Sequence, residues 1–244
     1  MIKRLLLTRP AGFNGDLLTA CQQLGCQCYE APLIRIAPLP APIVTPEVEV
    51  LAVARAQIYT SQNAITHAED ALLAIGRDPL SRVYAVGPAT QKHLEGLGIA
   101  AIAPESPGSE PLLALPDFQD VDGLSITIVT GLGGRDHLDV TLTARGANVA
   151  RYACYAREKI HRPDLENVVS KEGYDHVLVT SVDLLDALTE NLSTHLRAGV
   201  TVCATSPRIA EAAKDRGYRQ IISAQDASVS GILRALGLAS SDFS

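Results

Sequence analysis

Ser125-Ile-Thr-Ile-Val-Thr-Gly131-Leu-Gly-Gly-Arg135-Asp-His-Leu-Asp-Val-Thr-Leu-Thr-Ala-Arg145-Gly-Ala-Asn-Val-Ala-Arg-Tyr-Ala-Cys-Tyr155-Ala-Arg157 is the stretch on which the fold turns. Its first six residues are short, β-branched and mostly apolar, the pattern of a buried strand. A glycine-rich turn follows, then Leu138 and Leu142 at helical spacing, with Gly146 placed as a C-cap. Val149 to Tyr155 returns as a second strand. The reading is one βαβ unit whose loop leaves backbone N–H groups free for an anion. The loop matches neither of two well-defined phosphate loops. A dinucleotide fingerprint needs a third glycine where Asp136 stands, and a P-loop needs Lys-Ser/Thr where Arg135-Asp136 follows Gly134. A tight turn with no ligand therefore stands beside the anion-binding reading.

Outward from that unit, 244 residues suffice for one large core or two small ones. A hydrophobic content of 47% with 20% charged residues is that of an ordinary soluble globular protein. No apolar run approaches the roughly 20 residues of a membrane span, so no membrane partner is expected. The opening Met1 to Pro10 has an apolar core of only Leu5 to Leu7 and runs into Arg9-Pro10, which makes it a strand rather than an export signal. A cytoplasmic protein is the expectation. Five cysteines are an odd number and are scattered. Cys26 and Cys28 share a strand face, but no second Cys or His pair with metal-site spacing accompanies them, so buried thiols and no metal are expected. A net charge of −6 argues against nucleic acid as a partner, and an anionic ligand must then meet a local basic patch.

Strand and helix signals alternate along the rest of the chain. Strands are expected at Lys3–Thr8, Cys26–Glu30, Ala56–Thr60, Arg82–Val86, Ile99–Ala103, His176–Thr180, Val200–Ala204 and Gln220–Ser223. Helices are expected around Leu17–Leu24, Glu47–Ala56, Ser61–Leu73, Pro88–Leu97, Ser109–Leu115, Leu165–Lys171, Ser181–Leu188, Pro207–Arg216 and Ser228–Leu236. Residues 116–123 read as polar and exposed, and the tail after Gly237 as frayed. The proline-bounded run Ala31–Pro38 and the charged run Arg157–Pro163 read as extended connectors. An internal repeat is present: Ser61 to Pro88 is one residue longer than Ser181 to Pro207, and Pro88 to Gly98 equals Pro207 to Gly217 in length. The fold class that follows is α/β, with two similar parallel-sheet (flavodoxin-like) domains. Parallel sheets bind ligands beyond the carboxyl ends of their strands. Thr8-Arg9, Thr60-Ser61, Val86-Gly87, Thr130-Gly131, Thr180-Ser181 and Thr205-Ser206 all fall at such ends and would face a cleft between the domains.

With these strand ends in place, the chain resembles the uroporphyrinogen-III synthase family. The matching pieces are Leu6-Leu-Thr-Arg-Pro10, Tyr59-Thr-Ser-Gln-Asn-Ala64, Ala85-Val-Gly-Pro-Ala-Thr90, Gly131-Leu-Gly-Gly-Arg135 with Leu138, Arg145-Gly-Ala147, Tyr155, Val179-Thr-Ser181, and Ile209-Ala210 with Gly217. They span most of the chain, and their order is more specific than any one of them. Thr205-Ser206-Pro207-Arg208 departs from the pattern where relatives often carry a glycine. Cys154 departs where an apolar β-branched residue is more usual. The resemblance implies a cofactor-free, metal-free enzyme that closes hydroxymethylbilane, a linear tetrapyrrole with eight carboxylates, into uroporphyrinogen III. Water leaves, an azafulvene forms at ring A, and ring D attacks through its substituted carbon and is inverted by way of a spiro intermediate. Without enzyme the chain closes head to tail without inversion, so catalysis is expected to be mostly conformational.

On that resemblance Tyr155 is the candidate general acid to the departing hydroxyl, since a phenol donates a hydrogen bond while neutral. The candidate carboxylate contacts are Arg9, Thr60, Ser61, Gly87, Thr90, Gly131, Gly133, Arg135, Ser181, Ser206 and Arg208. Plainer readings stand beside these: helix N-caps for the Thr-Ser pairs, solvated surface groups for the arginines and a packed strand residue for Tyr155. Lys92 and Arg151 receive no role, and none of the six histidines is placed for the acid. The repeat alone divides the chain at 1–118 and 122–244. The resemblance instead joins residues 1–33 to 162–244 around a second domain, 38–153, with 33–38 and 152–162 side by side as a two-stranded extended hinge. A monomer is expected, with transient contact to the enzyme that makes hydroxymethylbilane. The rival reading is a non-catalytic two-lobed binding or sensor protein.

Overall fold

A computed structural model describes residues 4–45, 56–68, 70–76, 80–134 and 136–238. In chain order these form β1 (Arg4–Leu7), α1 (Gly15–Gln23), β2 (Gln27–Glu30), β3 (Ile34–Thr45), β4 (Ala56–Tyr59), α2 (Gln62–Thr66), α3 (Asp70–Gly76), β5 (Arg82–Ala85), α4 (Pro88–Gly96) and α5 (Ser109–Leu113). A 3₁₀ turn at Pro116–Phe118 leads to β6 (Ser125–Gly131), α6 (His137–Ala144) and β7 (Asn148–Lys159). The remainder is α7 (Leu165–Ser170), β8 (His176–Val179), α8 (Val182–Asn191), α9 (Thr194–Arg197), β9 (Thr201–Ala204), α10 (Pro207–Asp215), β10 (Gln220–Ser223) and α11 (Val229–Ala235). The chain divides into two compact units, residues 1–35 with 158–244, and residues 36–157.

The first unit holds a five-stranded sheet in the order β10-β9-β8-β1-β2, with all neighbours parallel. Its inner strands carry Leu5-Leu6-Leu7, Val177-Leu178-Val179 and Val202-Cys203-Ala204, all buried. A parallel sheet covered by helices on both faces demands such unbroken apolar runs. The edge strands β2 and β10 are partly exposed, as the weaker pattern of their sequence foretells. In the second unit the order is β3-β7-β6-β4-β5, with β4–β5, β4–β6 and β6–β7 parallel. Both orders contain the flavodoxin-like arrangement, in which the chain lays strands first to one side and then to the other. The reversal falls between β1 and β8 in the first unit and between β4 and β6 in the second.

The βαβ unit read from Ser125 to Arg157 is β6-α6-β7. Gly146 closes α6 at φ +89, with Gly146 N–H donating to Thr143 and Ala147 N–H to Leu142, a Schellman ending. One feature of β7 is invisible in the sequence. Thr130 lies opposite Ala153, but Gly131 lies opposite Tyr155, so Cys154 is an extra residue in the ladder. Such a bulge re-aims the side chain that follows it. As a result Cys154 and Tyr155, adjacent in sequence, both pack into one cluster with Tyr59, Ile65 and Val129.

Several expectations are corrected. The helix expected from Ser61 to Leu73 is two, α2 and α3, interrupted after Thr66, whose hydroxyl bonds back to Gln62 O. The strand expected at 99–103 is a single bridge between Tyr84 and Ile102, because three of its residues are alanines, poor strand formers, and Pro104 follows. Residues 116–123 are not simply exposed: Phe118 and Val121 are buried, and Phe118 packs on Tyr84 at 4.6 Å between centroids. Residues from Tyr152 to Lys159 stay in strand as the end of β7, the extended form expected of this stretch. Arg35 and Glu158 pair at 2.6 Å, and Ile160 N–H donates to Leu33 O, so the two extended segments run together there. The helix expected over 47–56 falls outside the described residues, apart from Ala56, which opens β4.

Candidate active site

The carboxyl ends of β4 and β6 flank the reversal point of the second sheet, and Tyr155 lies there. The residue is 1% exposed. The ring rests directly over Gly131, the last residue of β6. A Cβ at Gly131 would stand 2.6 Å from Cε2 and Cζ of the ring, so this glycine is required by close approach. The phenol oxygen is 3.0 Å from Ser61 Oγ, and the Arg157 guanidinium donates to it at 3.1 Å. Arg157 also covers the ring at 5.4 Å, and the His67 ring lies 5.9 Å away.

These bonds leave a definite proton inventory. Ser61 Oγ already accepts from Ala64 N–H as the N-cap of α2. Two hydroxyl hydrogens are shared between Ser61 and Tyr155, and their mutual bond uses one. Whichever group donates, one O–H remains for a ligand oxygen, with a fixed positive charge beside it. A buried, preorganised donor of this kind is suited to an oxygen that gains negative charge or leaves.

Other expected residues of this unit make the following contacts. Thr60 Oγ1 donates to Val129 O at 3.1 Å and ties β4 to β6. Gly87 is buried against Pro107, whose Cβ would be 2.7 Å from an added Cβ, and Thr90 is buried in α4. Gly133 is exposed at φ +72. Arg151 anchors its loop, donating to Gly133 O at 3.2 Å and pairing with Asp139 at 2.6 Å and Asp136 at 3.1 Å. Arg135 lies outside the described residues. Arg157 was missed by sequence reasoning, although it stands two residues after Tyr155 and so shares its strand face.

In the first unit the equivalent point lies between Thr8-Arg9 and Thr180-Ser181. Thr8 Oγ1 donates to Leu178 O at 2.5 Å, and Arg9 donates to Ala227 O at 3.0 Å. Burial lowers the Arg9 guanidinium from its ordinary value. Ser181 and Ser206 cap α8 and α10, accepting from Leu184 N–H at 3.1 Å and Ile209 N–H at 3.4 Å. Arg208 is exposed on the first turn of α10. The plainer N-cap reading thus holds for all three serines, and Ser61 alone of them is also bonded to a phenol.

A cavity of about 500 Å³ opens at the other end of the second sheet, lined by Ala56, Arg82, Tyr84, Asp117 and Leu124. Its polar groups are spent on one another: Tyr84 donates to Asp117 at 2.7 Å, and burial chiefly pushes the Tyr84 phenol up to about 12. Parallel sheets bind at their carboxyl ends, which favours Tyr155 over this cavity. In the first unit Cys21, Cys26 and Cys28 converge, and the Cys28 thiol is pushed up by its hydrogen bond to Cys21 and then by burial.

Comparison with known proteins bears on the whole chain. The profile of the family described as Uroporphyrinogen-III synthase HemD matches residues 15–234. The uroporphyrinogen-III synthases of Escherichia coli (strain K12) and Salmonella typhimurium are each 30% identical over 243 residues, covering 95% of this chain and 99% of their own. Uroporphyrinogen-III synthetase from Helicobacter pylori 26695 superposes with a TM-score of 0.67 at 17% identity, covering 98% of this chain and all of that one. A mutant uroporphyrinogen III synthase from the extremely thermophilic bacterium Thermus thermophilus gives 0.62 at 16%, covering 97% and 100%. The solved structures speak for the two-domain α/β fold. The profile and the bacterial relatives go further, because they match in sequence across nearly every element described above: this chain belongs to the uroporphyrinogen-III synthase family.

Proposed function

We infer that this protein is a lyase that closes hydroxymethylbilane to uroporphyrinogen III, with loss of water and inversion of ring D. Family membership supports the reaction. The observation that supports the site is the hydroxyl pair of Tyr155 and Ser61 at the reversal point of the second sheet, with Arg157 on the phenol oxygen. The unspent O–H donates to the hydroxymethyl oxygen as its C–O bond breaks, and that oxygen departs as water. Arg157 balances the charge left behind on the phenol oxygen. Arg9, Arg208, Ser181, Ser206 and the Gly133–Arg135 loop are the proposed contacts for substrate carboxylates. Gly131 sets the height of the phenol, while Thr60, Gly87 and Thr90 hold the surrounding backbone.

Because the substrate closes by itself into the uninverted macrocycle, most of the enzyme's work is positional. The same instability favours direct transfer from the enzyme that makes hydroxymethylbilane, and a cytoplasmic setting; among the described residues no helix is long and apolar enough to cross a membrane. The reading takes residues 1–33 with 162–244 as one domain and 38–153 as the other, with 33–38 and 152–162 as connectors. Incubating the purified protein with hydroxymethylbilane, oxidising the product and separating the porphyrin isomers tests the function. Predominance of isomer III is expected. Isomer I alone, at the spontaneous rate, would leave a binding protein.

A further inference from the structure

We propose that Cys21, Cys26 and Cys28 form a three-sulfur site for a soft monovalent cation, Cu(I). The convergence is built by local structure. Helix α1 ends in a Schellman motif, with Gly25 at φ +73, Gly25 N–H on Gln22 O at 3.0 Å and Cys26 N–H on Cys21 O at 2.9 Å. That motif places the residue after the glycine against the one five positions before it, here Cys26 against Cys21. Cys28 follows two residues later, on the same face of the chain as it enters β2. The three sulfurs lie within 4.8 Å of one another. Three metal–sulfur bonds of about 2.3 Å need sulfurs about 4 Å apart, a contraction that small side-chain rotations supply.

The donor set selects the ion. All three ligands are thiols, which favour soft cations. Zinc takes four ligands in structural sites, and among the described residues no carboxylate or imidazole completes this group. Cys21 and Cys26 are buried in an apolar cluster with Leu5, Leu17 and Ile232, and Cys28, on the edge strand, is partly open. The site thus has a dry interior and an entrance. Binding releases thiol protons to the buffer, and no redox step is involved. The site belongs to the first unit and Tyr155 to the second, and the proposal does not depend on the reaction proposed above.

The test titrates the reduced full-length protein anaerobically with Cu(I) buffered by a chromogenic chelator, and follows thermal unfolding in parallel. One Cu(I) per chain, held against the chelator and raising the unfolding temperature, is expected. Cys28→Ser, at the partly exposed position, folds and loses that binding, and Cys21→Ser loses it where it folds. Cys154→Ser, outside the cluster, keeps it. Failure to hold Cu(I) against the chelator, or retention undiminished in folded Cys28→Ser, overturns the proposal and leaves three packed thiols.

Discussion

Tyr155 and Gly131 form a pair in which each explains the other. The ring occupies the volume that any side chain at Gly131 would need, so Gly131→Ala must displace the phenol from Ser61 and Arg157. We expect it to lower the rate of uroporphyrinogen III formation at least as much as removing the phenol, with the melting temperature lowered too. A Gly131→Ala variant with wild-type turnover would show that the position of the ring is immaterial. Ser61→Ala removes both the cap of α2 and the partner of the phenol. The cap is worth about 1 kcal/mol, readable by urea denaturation, and the rate should fall less than for Tyr155→Phe because Arg157 still holds the oxygen. Equal stability and equal rate would contradict both roles. At this scale Ser61 and Gly131 were legible in the sequence as strand-end residues, and Tyr155 through the family resemblance. Their mutual contact was not, since residues of three separate strands and their ends meet only after the sheet is ordered.

Among elements, the bulge in β7 matters most, because alternation alone would put Cys154 and Tyr155 on opposite faces. No residue signal announces it: Ala153-Cys-Tyr155 reads as plain strand. Caps were far more legible. Ser181→Ala, which removes the hydroxyl accepting from Leu184 N–H, should cost about 1 kcal/mol in denaturant unfolding; no loss would mean that water replaces the cap. The start of α7 carries a pH-dependent element. The Arg162 guanidinium, 2.6 Å from Asp164, holds that carboxyl at about 2 rather than the ordinary 3.8. A folded pKa below the unfolded one means that the stabilisation is present above pH 3.8 and lost as pH falls through about 2. Asp164→Asn should therefore lose less stability than wild type across that interval. Superimposable acid-unfolding curves would remove the pair from the account. The broken helix after Ser61 and the single bridge at Ile102 were misread for one reason: helical spacing and apolar runs are local, and they do not register a hydroxyl bonding back along a helix or alanines too weak to hold a strand.

For the whole molecule, alternating strands and helices sufficed to read two parallel α/β sheets, and the Ser125–Arg157 unit to read one parallel strand pair, β6 with β7. The partition was harder. The repeat cuts the chain in the middle, whereas residues 1–35 form a compact unit with 158–244 and β1 pairs with β8. Which sheet a strand joins is settled by pairing between residues far apart in the chain, and a repeat in sequence order carries no record of it. The same distance hid the meeting of Ser61, Gly131 and Tyr155. The account rests on that meeting point being where the substrate's hydroxyl departs. Its most direct test is the initial rate of uroporphyrinogen III formation from hydroxymethylbilane by Tyr155→Phe against wild type, with circular dichroism to establish that both are folded. General acid catalysis contributes about 100-fold at the low end of its usual range, and less where positioning dominates. The account predicts a fall of about 10- to 100-fold in a folded variant; an undiminished rate would contradict it and leave Tyr155 a packing residue.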